Sequence, residues 1–208
     1  MGTRAALGLV QTRILAGDMP AYAGSLREAD LQRLLDILAQ SRVHAGQRGD
    51  TVMKGNDKVI TTLNALLADE LTAVNQYMVH SEMCDNWGYG RLHKLIEKRA
   101  IDEMKHAEKL IGRILFLEGK PIVNRLLEIH IGQSVEEQLR NDLTSEAAAV
   151  KAYNSAILSA VELADNGTRE LLEATLKDEE SHVDWLEAQI DQIQQMGVQN
   201  YLAEQTRE

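Results

Sequence analysis

Glu103 and His106 stand three residues apart in Ile101-Asp102-Glu103-Met104-Lys105-His106. On an α-helix that spacing puts a carboxylate and an imidazole on one face, where they can share a metal ion. Glu179 and His182 repeat the pair in Asp178-Glu179-Glu180-Ser181-His182. Glu103 follows Glu70 by 33 residues, and Glu179 follows Glu146 by the same 33. Each upstream glutamate is followed seven residues later by a tyrosine, Tyr77 and Tyr153, nearly two helical turns along. A single Glu-x-x-His is most often a solvated helix face. Two of them, each with a glutamate at the same upstream distance, are far more specific. Four carboxylates and two histidines converging in one helical core make a di-iron or di-manganese site.

Such a constellation needs two helical hairpins, each carrying Glu…Tyr on its first helix and Glu-x-x-His on its second. The chain supplies the elements. Val59, Ile60, Leu63, Leu66, Leu67, Leu71, Val74 and Met78 keep a helical period through one long helix. That helix ends near Asn86-Trp87-Gly88, with Gly88 as its C-cap. A second helix is expected from about Gly90 to Glu118, stopped by Gly119-Lys120-Pro121. Residues 119–133 form a long connection, and Ser134 with Glu137 makes a capping box for the third helix. Asp165-Asn166-Gly167-Thr168 marks the next break. A fourth helix runs to about Met196-Gly197, and Val198 to Glu204 can form a short fifth. Tight turns make the first two helices antiparallel neighbours, and likewise the last two. The connection between the second and third is long enough to cross the bundle. The expected fold is therefore all-α, a four-helix bundle with one long crossover and a short fifth helix.

Composition agrees. The chain has 208 residues, 4% aromatic residues and two prolines, which suits long helices. Its net charge of −10 argues against nucleic-acid binding and favours attraction of cations. The single cysteine, Cys84, excludes a disulfide framework and fits a reducing cytoplasm. No run of 18 or more apolar residues suggests a membrane span. The N-terminal apolar run is cut short by Gln11, Thr12 and Arg13 and does not read as a signal peptide.

From Met53 onward the chain resembles bacterioferritin. The residues that carry the likeness include Met53-Lys54-Gly55, Asp69-Glu70-Leu71, Asn75-Gln76-Tyr77, Asn86-Trp87-Gly88 and Ile101 to Ala107. Arg113 to Gly119, Asp178-Glu179-Glu180, His182, Asp184 to Glu187 and Gly197 to Leu202 extend it. The resemblance covers about three quarters of the chain and implies a ferritin-like domain over residues 53–208. It implies iron storage and detoxification by a ferroxidase: Fe(II) is oxidised at a di-iron centre, with two irons per subunit, and stored as ferric mineral. The cage would be a homo-oligomer of 24 subunits built from two-fold dimers, with one haem b per two subunits. Glu70 and His106 would hold one iron, Glu146 and His182 the other, and Glu103 and Glu179 would bridge. Tyr77 matches a tyrosine that donates an electron to the centre, and Met104 matches the axial haem ligand. A small ferredoxin would be the partner for iron release, with O2 or H2O2 as oxidant. Lys98 and Arg99 stand where the family often has a His–Glu pair beside an inner-surface iron, so that site does not carry over. Tyr153 is no part of the family's pattern and reads as a packed aromatic.

Residues 1–52 differ from the rest. They hold six Arg, no Lys and five acidic residues, a net charge of +1 that leaves −11 on the remainder. Ser25 and Glu28 make a capping box, and Leu31, Leu34, Leu35 and Leu38 continue as a short amphipathic helix to about Gln40. Gly17 to Gly24, with this helix behind it, resembles the C-terminal end of class I c-type cytochromes, where Met19 would match an axial haem ligand. The chain has no Cys-x-x-Cys-His, so covalent haem attachment is not expected. The segment reads as a dispensable or untranslated arm, joined by a polar linker from Ala45 to Thr51, and Met53 as a natural start.

Competing functions fit less well. A rubrerythrin-like peroxidase needs four cysteines for its rubredoxin module. A small twelve-subunit DNA-protecting ferritin lacks the fifth helix and this ligand set. A haem electron carrier has no use for six metal ligands, and a purely structural cage subunit would have lost some of them. The alternative kept open is a non-catalytic or haem-bearing subunit of a mixed cage. Asp102 and Asp178 are the candidates for orienting the two histidines. His80, His93 and His130 read as surface or packing residues, and Met78 and Met83 as core.

Overall fold

The computed structural model describes residues 54–206. The cytochrome-like segment, the helix expected to reach Gln40 and the polar linker lie outside these residues. The described residues form five helices and no strand: α1 Asp57–Asn86, α2 Gly90–Phe116, α3 Val135–Glu162, α4 Asn166–Met196 and α5 Val198–Gln205. None is long and apolar enough to cross a membrane. The all-α bundle with a short fifth helix is the architecture that the periodicity called for.

Local chemistry sets the helix ends. The side chain of Asn56 accepts the Lys58 N–H at 2.8 Å and opens α1. Gly88, at φ 81°, closes it. The Gly88 and Tyr89 N–H groups turn back to the carbonyls of Asp85 and Cys84, which satisfies two orphan acceptors. α2 ends at Phe116, two residues short of the expected Glu118. The reason is the same motif without glycine: Glu118 itself takes φ 60°, and the Gly119 N–H bonds to Ile114 O at 2.8 Å. Ala164 at φ 56° plays this part after α3. Neither residue type advertises a left-handed turn. Ser134 caps α3 as expected by accepting the Glu137 N–H. The return bond from Glu137, however, goes to the N–H of Gln133, not to that of Ser134. Asp165 caps α4 through the Thr168 N–H and also receives Arg113 from the end of α2 at 2.6 Å.

Side-chain pairs fix the directions. Tyr77 reaches Glu146 while Tyr153 reaches Glu70, so the numbering rises along α1 as it falls along α3. His106 meets Glu179 while His182 meets Glu103, so α2 and α4 are antiparallel as well. Turns of a few residues make α1 antiparallel to α2 and α3 antiparallel to α4. Hence α2 and α3 run parallel, and the segment between Phe116 and Val135 must travel the length of the bundle.

That crossover is irregular backbone with donors to satisfy. One stripe of α1 satisfies them at steps of four or eight residues. Asn64 Oδ1 accepts the Ile122 N–H at 2.7 Å, and Thr72 Oγ1 the Leu127 N–H at 2.8 Å. Gln76 Oε1 accepts the His130 N–H at 3.0 Å, and His80 Nε2 the Gly132 N–H at 3.2 Å. His80 is thus neither a surface nor a merely packed residue. Its other nitrogen meets the buried Asp142 carboxylate at 2.9 Å.

The interior is divided. One apolar cluster holds Val59, Leu63, Leu67, Leu110, Ile114, Leu172 and the ring of Tyr153. A second holds Cys84, Leu92, Ile96, Leu139, Leu186, Ile190, Tyr201 and the ring of Tyr77. Burial pushes the Cys84 thiol up to about 12, with Asp142 adding to the effect, so this cysteine is an inert core residue. Between the two clusters lies a layer of buried polar side chains.

Candidate metal centre

The polar layer is built from one residue stripe of each long helix. α1 supplies Glu70, α2 supplies Glu103 and His106, α3 supplies Glu146, and α4 supplies Glu179 and His182. All six are buried, none more than 7% exposed. Each member of the second hairpin follows its counterpart in the first by 76 residues, so the site has an internal two-fold relation.

The ligand atoms fall into two overlapping groups. Glu70, Glu103, His106 and Glu179 form one, and Glu103, Glu146, Glu179 and His182 the other; within each, one atom per residue lies within 4.8 Å of the rest. Glu103 turns Oε2 toward His106 Nδ1 and Oε1 toward His182 Nδ1, at 2.9 Å in both cases. Glu179 does the same in reverse, with Oε1 2.9 Å from His106 Nδ1 and Oε2 3.6 Å from His182 Nδ1. Glu70 approaches only His106, at 3.8 Å, and Glu146 only His182, at 3.5 Å. The two imidazole rings stack with centroids 6.0 Å apart.

Several of these contacts are short without being hydrogen bonds. Glu103 Oε1, Glu179 Oε1 and His182 Nδ1 are buried and have no hydrogen-bond partner among the described residues. Their close approaches therefore lack the alignment of a proton shared between two atoms. Buried polar atoms left this way are costly. Atoms that converge on a common point, not on one another, are what a metal ion satisfies, and a carboxylate–imidazole set suits a first-row divalent ion. The donor set fits two such ions.

The electrostatics carry the same message. Burial and the neighbouring Glu179 and Glu103 push the Glu70 carboxyl well above its ordinary value. Burial likewise raises Glu146 to about 8. Burial also works against Glu179, but the adjacent His106 and His182 outweigh it and hold that carboxyl below the usual range. For the histidines, burial disfavours the charge, yet Glu103 and Glu179 raise His106 to about 10. Glu103, Glu146 and Glu179 similarly raise His182 to about 11. Without a metal, the site keeps its charges apart by holding protons.

The surroundings answer several expectations. Asp178 does orient a histidine: its Oδ2 lies 3.2 Å from His106 Nε2, across from α4 to α2. Asp102 touches neither histidine. Burial works against its charge, but Lys98 and Lys105, at 3.0 and 2.9 Å, together outweigh it and keep the carboxyl below the usual range. Arg99 lies over the Trp185 ring, 5.3 Å from its centroid. Tyr77 donates to Glu146, and Tyr153 donates to Glu70. Tyr153 is thus more than the packed aromatic expected of it. Its symmetric spacing to Tyr77 was visible in the sequence, but nothing there says where a hydroxyl ends. Burial first, then the adjacent Glu146 or Glu70, raises both phenols well above their ordinary value. Met104 points elsewhere. It is 55% exposed, beside a Glu103 that is fully buried.

Two cavities reach the centre. One of about 450 Å³ lies along α1, α3 and the crossover; Asp69, Glu128 and His130 line it, and Glu70, Glu146 and Tyr77 stand at its inner end. The other, of about 440 Å³ between α2 and α4, is lined by Lys98, Arg99, Lys105 and Lys109 together with Asp102 and Asp178, and reaches His106 and His182. The charged side chains of the first are mostly acidic, whereas the second mixes both signs.

Comparison with known proteins adds relatives. A family profile described as Ferritin-like domain matches residues 60–196. A bacterioferritin of Mycolicibacterium paratuberculosis is 41% identical over 152 residues, which are 73% of this chain and 96% of that protein. A bacterioferritin of Rhodobacter capsulatus and one of Brucella melitensis are each 42% identical over 149 residues, 72% of this chain and 92% of theirs.

The proton load makes a measurable demand. An imidazole that ligates through Nδ1 must give up the proton it holds there, so metal binding releases protons. Titrating the metal-free protein with Zn(II), which is redox-inert, is expected to acidify an unbuffered solution at pH 7. Affinity should fall toward acid by about tenfold per pH unit for each proton displaced. Binding without proton release would show that the histidines are not ligands.

Proposed function

The chain belongs to the bacterioferritin family of ferritin-like proteins, and on that premise we propose how its six buried ligands divide the work. The protein is a ferroxidase that stores iron. Fe(II) is its substrate and ferric mineral its product. In our reading Glu70 and His106 hold one iron, Glu146 and His182 the other, and Glu103 and Glu179 bridge them. The observation that carries this reading is that Glu103 and Glu179 each offer one oxygen to each histidine, while Glu70 and Glu146 each attend to one histidine alone. Two neighbouring irons supply two electrons together, so the oxidant is reduced in a paired step. Carboxylates that swing between terminal and bridging positions let the product leave.

The rest of the chain serves this chemistry. The cavity with Asp69 and Glu128 is the approach for Fe(II), since carboxylates concentrate cations before the ligands capture them. Asp178 fixes the ring of His106, so that Nδ1 faces the iron. Tyr77, bonded to Glu146, is the electron donor beside the centre.

Subunits of this kind assemble into a 24-subunit cage. Exposed apolar side chains support assembly: Met78 and Val79 on α1, Ile101, Met104, Leu115 and Phe116 on α2. Met104 follows Glu103 by about 100° of helical turn, so a ligand facing the core leaves a thioether facing sideways. At a two-fold contact the partner's own thioether would come close, and two sulfurs can clamp one haem b iron. A small ferredoxin in the cytoplasm would reduce the mineral through that haem. The functional domain begins at Met53, and residues 1–52 are dispensable to it.

Three measurements test these proposals. Stopped-flow mixing of the metal-free protein with Fe(II) and air should give a fast phase that saturates near two irons per subunit. Glu103→Ala and His182→Ala should each slow it by about tenfold or more, at least about 1.4 kcal/mol of barrier; an unchanged phase in both variants would reject the ligand assignment. Met104→Leu keeps volume and apolarity, at a packing cost under about 1.5 kcal/mol. It should preserve the cage and fast oxidation while abolishing the haem Soret band, and haem retained at wild-type stoichiometry counts against the thioether ligand. A chain starting at Met53 should form the same large particle by light scattering; a dimer, beside a full-length protein that assembles, would give the arm a role in assembly.

A further inference from the structure

Tyr153 occupies the position that the internal two-fold relation assigns to Tyr77. Both follow a ligand glutamate by seven residues. Each ring is packed into one of the two apolar clusters. Both hydroxyls leave the apolar layer and donate to a ligand carboxylate of the opposite hairpin, Tyr77 to Glu146 and Tyr153 to Glu70. Tyr153 is 0% exposed and Tyr77 is 1% exposed, so no solvent competes for either phenol. The burial, the packed ring and the hydrogen bond to a ligand carboxylate that suit Tyr77 to donate an electron are thus all present at Tyr153.

We propose that Tyr153 is a second electron donor to the centre, serving the half of the site that holds Glu70 and His106. The proposal rests on the ferroxidase assignment above and extends it. Reducing O2 to two waters takes four electrons and four protons, and two Fe(II) supply only two of the electrons. Tyr77 and Tyr153 supply the other two, one each. In each phenol the O–H bond breaks, the electron goes toward O2, and the proton passes along the existing hydrogen bond to Glu146 or Glu70. The ring is left as a neutral phenoxyl radical. Glu146 and Glu70 hand those two protons on to the reduced oxygen, two water molecules give the other two and leave two hydroxides that the ferric product takes up, and the O–O bond is cleaved to two waters. The paired phenols let one filled centre complete the reduction without releasing H2O2.

The geometry favours this role over mere bracing of Glu70. A carboxylate that needs only to be positioned can be held by an amide or a hydroxyl on a shorter side chain. A phenol adds a group that can be oxidised, buried against the metal ligands and shielded from quenching by solvent.

The test is freeze-quench electron paramagnetic resonance of the full chain, mixed with two Fe(II) per subunit and excess O2, with iron oxidation followed by absorbance on the same samples. The wild type should show a tyrosyl signal, recognisable by its narrowing when the protein carries ring-deuterated tyrosine. Tyr77→Phe should keep roughly half of that signal, with a hyperfine pattern of its own set by the Tyr153 side-chain angle. Tyr153→Phe should keep the complementary half, the double variant should show none, and H2O2 release should rise with each substitution. A bracing role alone would leave the signal of Tyr153→Phe identical to wild type. If Tyr77→Phe abolishes the whole signal while iron is still oxidised rapidly, or if the wild type oxidises iron rapidly with no tyrosyl signal, Tyr153 is not a donor. Failure of the wild type to oxidise iron rapidly would overturn the ferroxidase assignment and this proposal with it.

Discussion

Four carboxylates and two imidazoles share one water-poor layer in the middle of a helical bundle, and most of the fold can be read as the means of tolerating them. Gathering like charges out of water is unfavourable unless something of opposite sign is supplied. In the metal-free chain that something is protons: His106 and His182 hold them far above the usual imidazole range, and Glu146 up to about 8. Metal and proton therefore compete for the same atoms. The three ligand atoms left without a hydrogen bond mark where protons alone do not complete the satisfaction.

Holding such a layer in place falls to the apolar clusters above and below it. Leu63, Leu67, Leu110 and Ile114 close one side, and Leu92, Ile96, Leu139 and Leu186 the other. Burial of these side chains supplies the free energy that the polar layer lacks, at about 25 cal/mol per Å² of apolar surface removed from water. The crossover is the second requirement. It makes α2 and α3 parallel and so brings the two hairpins face to face with their ligands level. Its backbone is tied to α1 by Asn64, Thr72, Gln76 and His80, one helical stripe devoted to that task. Neighbouring stripes of α1 carry Glu70 and Tyr77, so a single helix both fixes the crossover and feeds the centre.

The approaches to the centre are unlike one another. Carboxylates line the cavity along α1 and α3, whereas the one between α2 and α4 is lined by three lysines and an arginine with Asp102 and Asp178 among them. A site with internal two-fold symmetry thus sits in an asymmetric surround. Lys98 and Arg99 belong to the lining of mixed charge. Lys98 is neutralised by Asp102, and Arg99 lies over Trp185.

The six carboxylate and imidazole residues that converge in the core, the fold class and the helix order were legible in the chain itself. Glu-x-x-His on a helix has one geometric meaning, and its repetition at equal distances from two upstream glutamates leaves little freedom for a different centre. The helix start at Ser134, the break at Asp165 and the stop at Gly88 were readable for the same reason, since capping is local chemistry; the cap at Asn56 went unread. What required the tertiary structure were the relations between residues far apart in sequence. Glu118 and Ala164 adopt left-handed turns that their side chains do not announce, and the next N–H groups, of Gly119 and Asp165, close the helices on Ile114 O and Ala160 O. His80 looked like any surface histidine until the crossover laid the Gly132 N–H against it. Asp102 and Asp178 were equal candidates by spacing, yet only Asp178 faces a histidine, because α4 packs beside α2 while Asp102 turns to lysines on its own helix. The direction of the Tyr153 hydroxyl was likewise settled by antiparallel packing of α1 on α3, which sets Glu70 opposite it. Periodicity tells which face of a helix a residue occupies; which atom it meets there depends on the register between helices, and that register is set by the core.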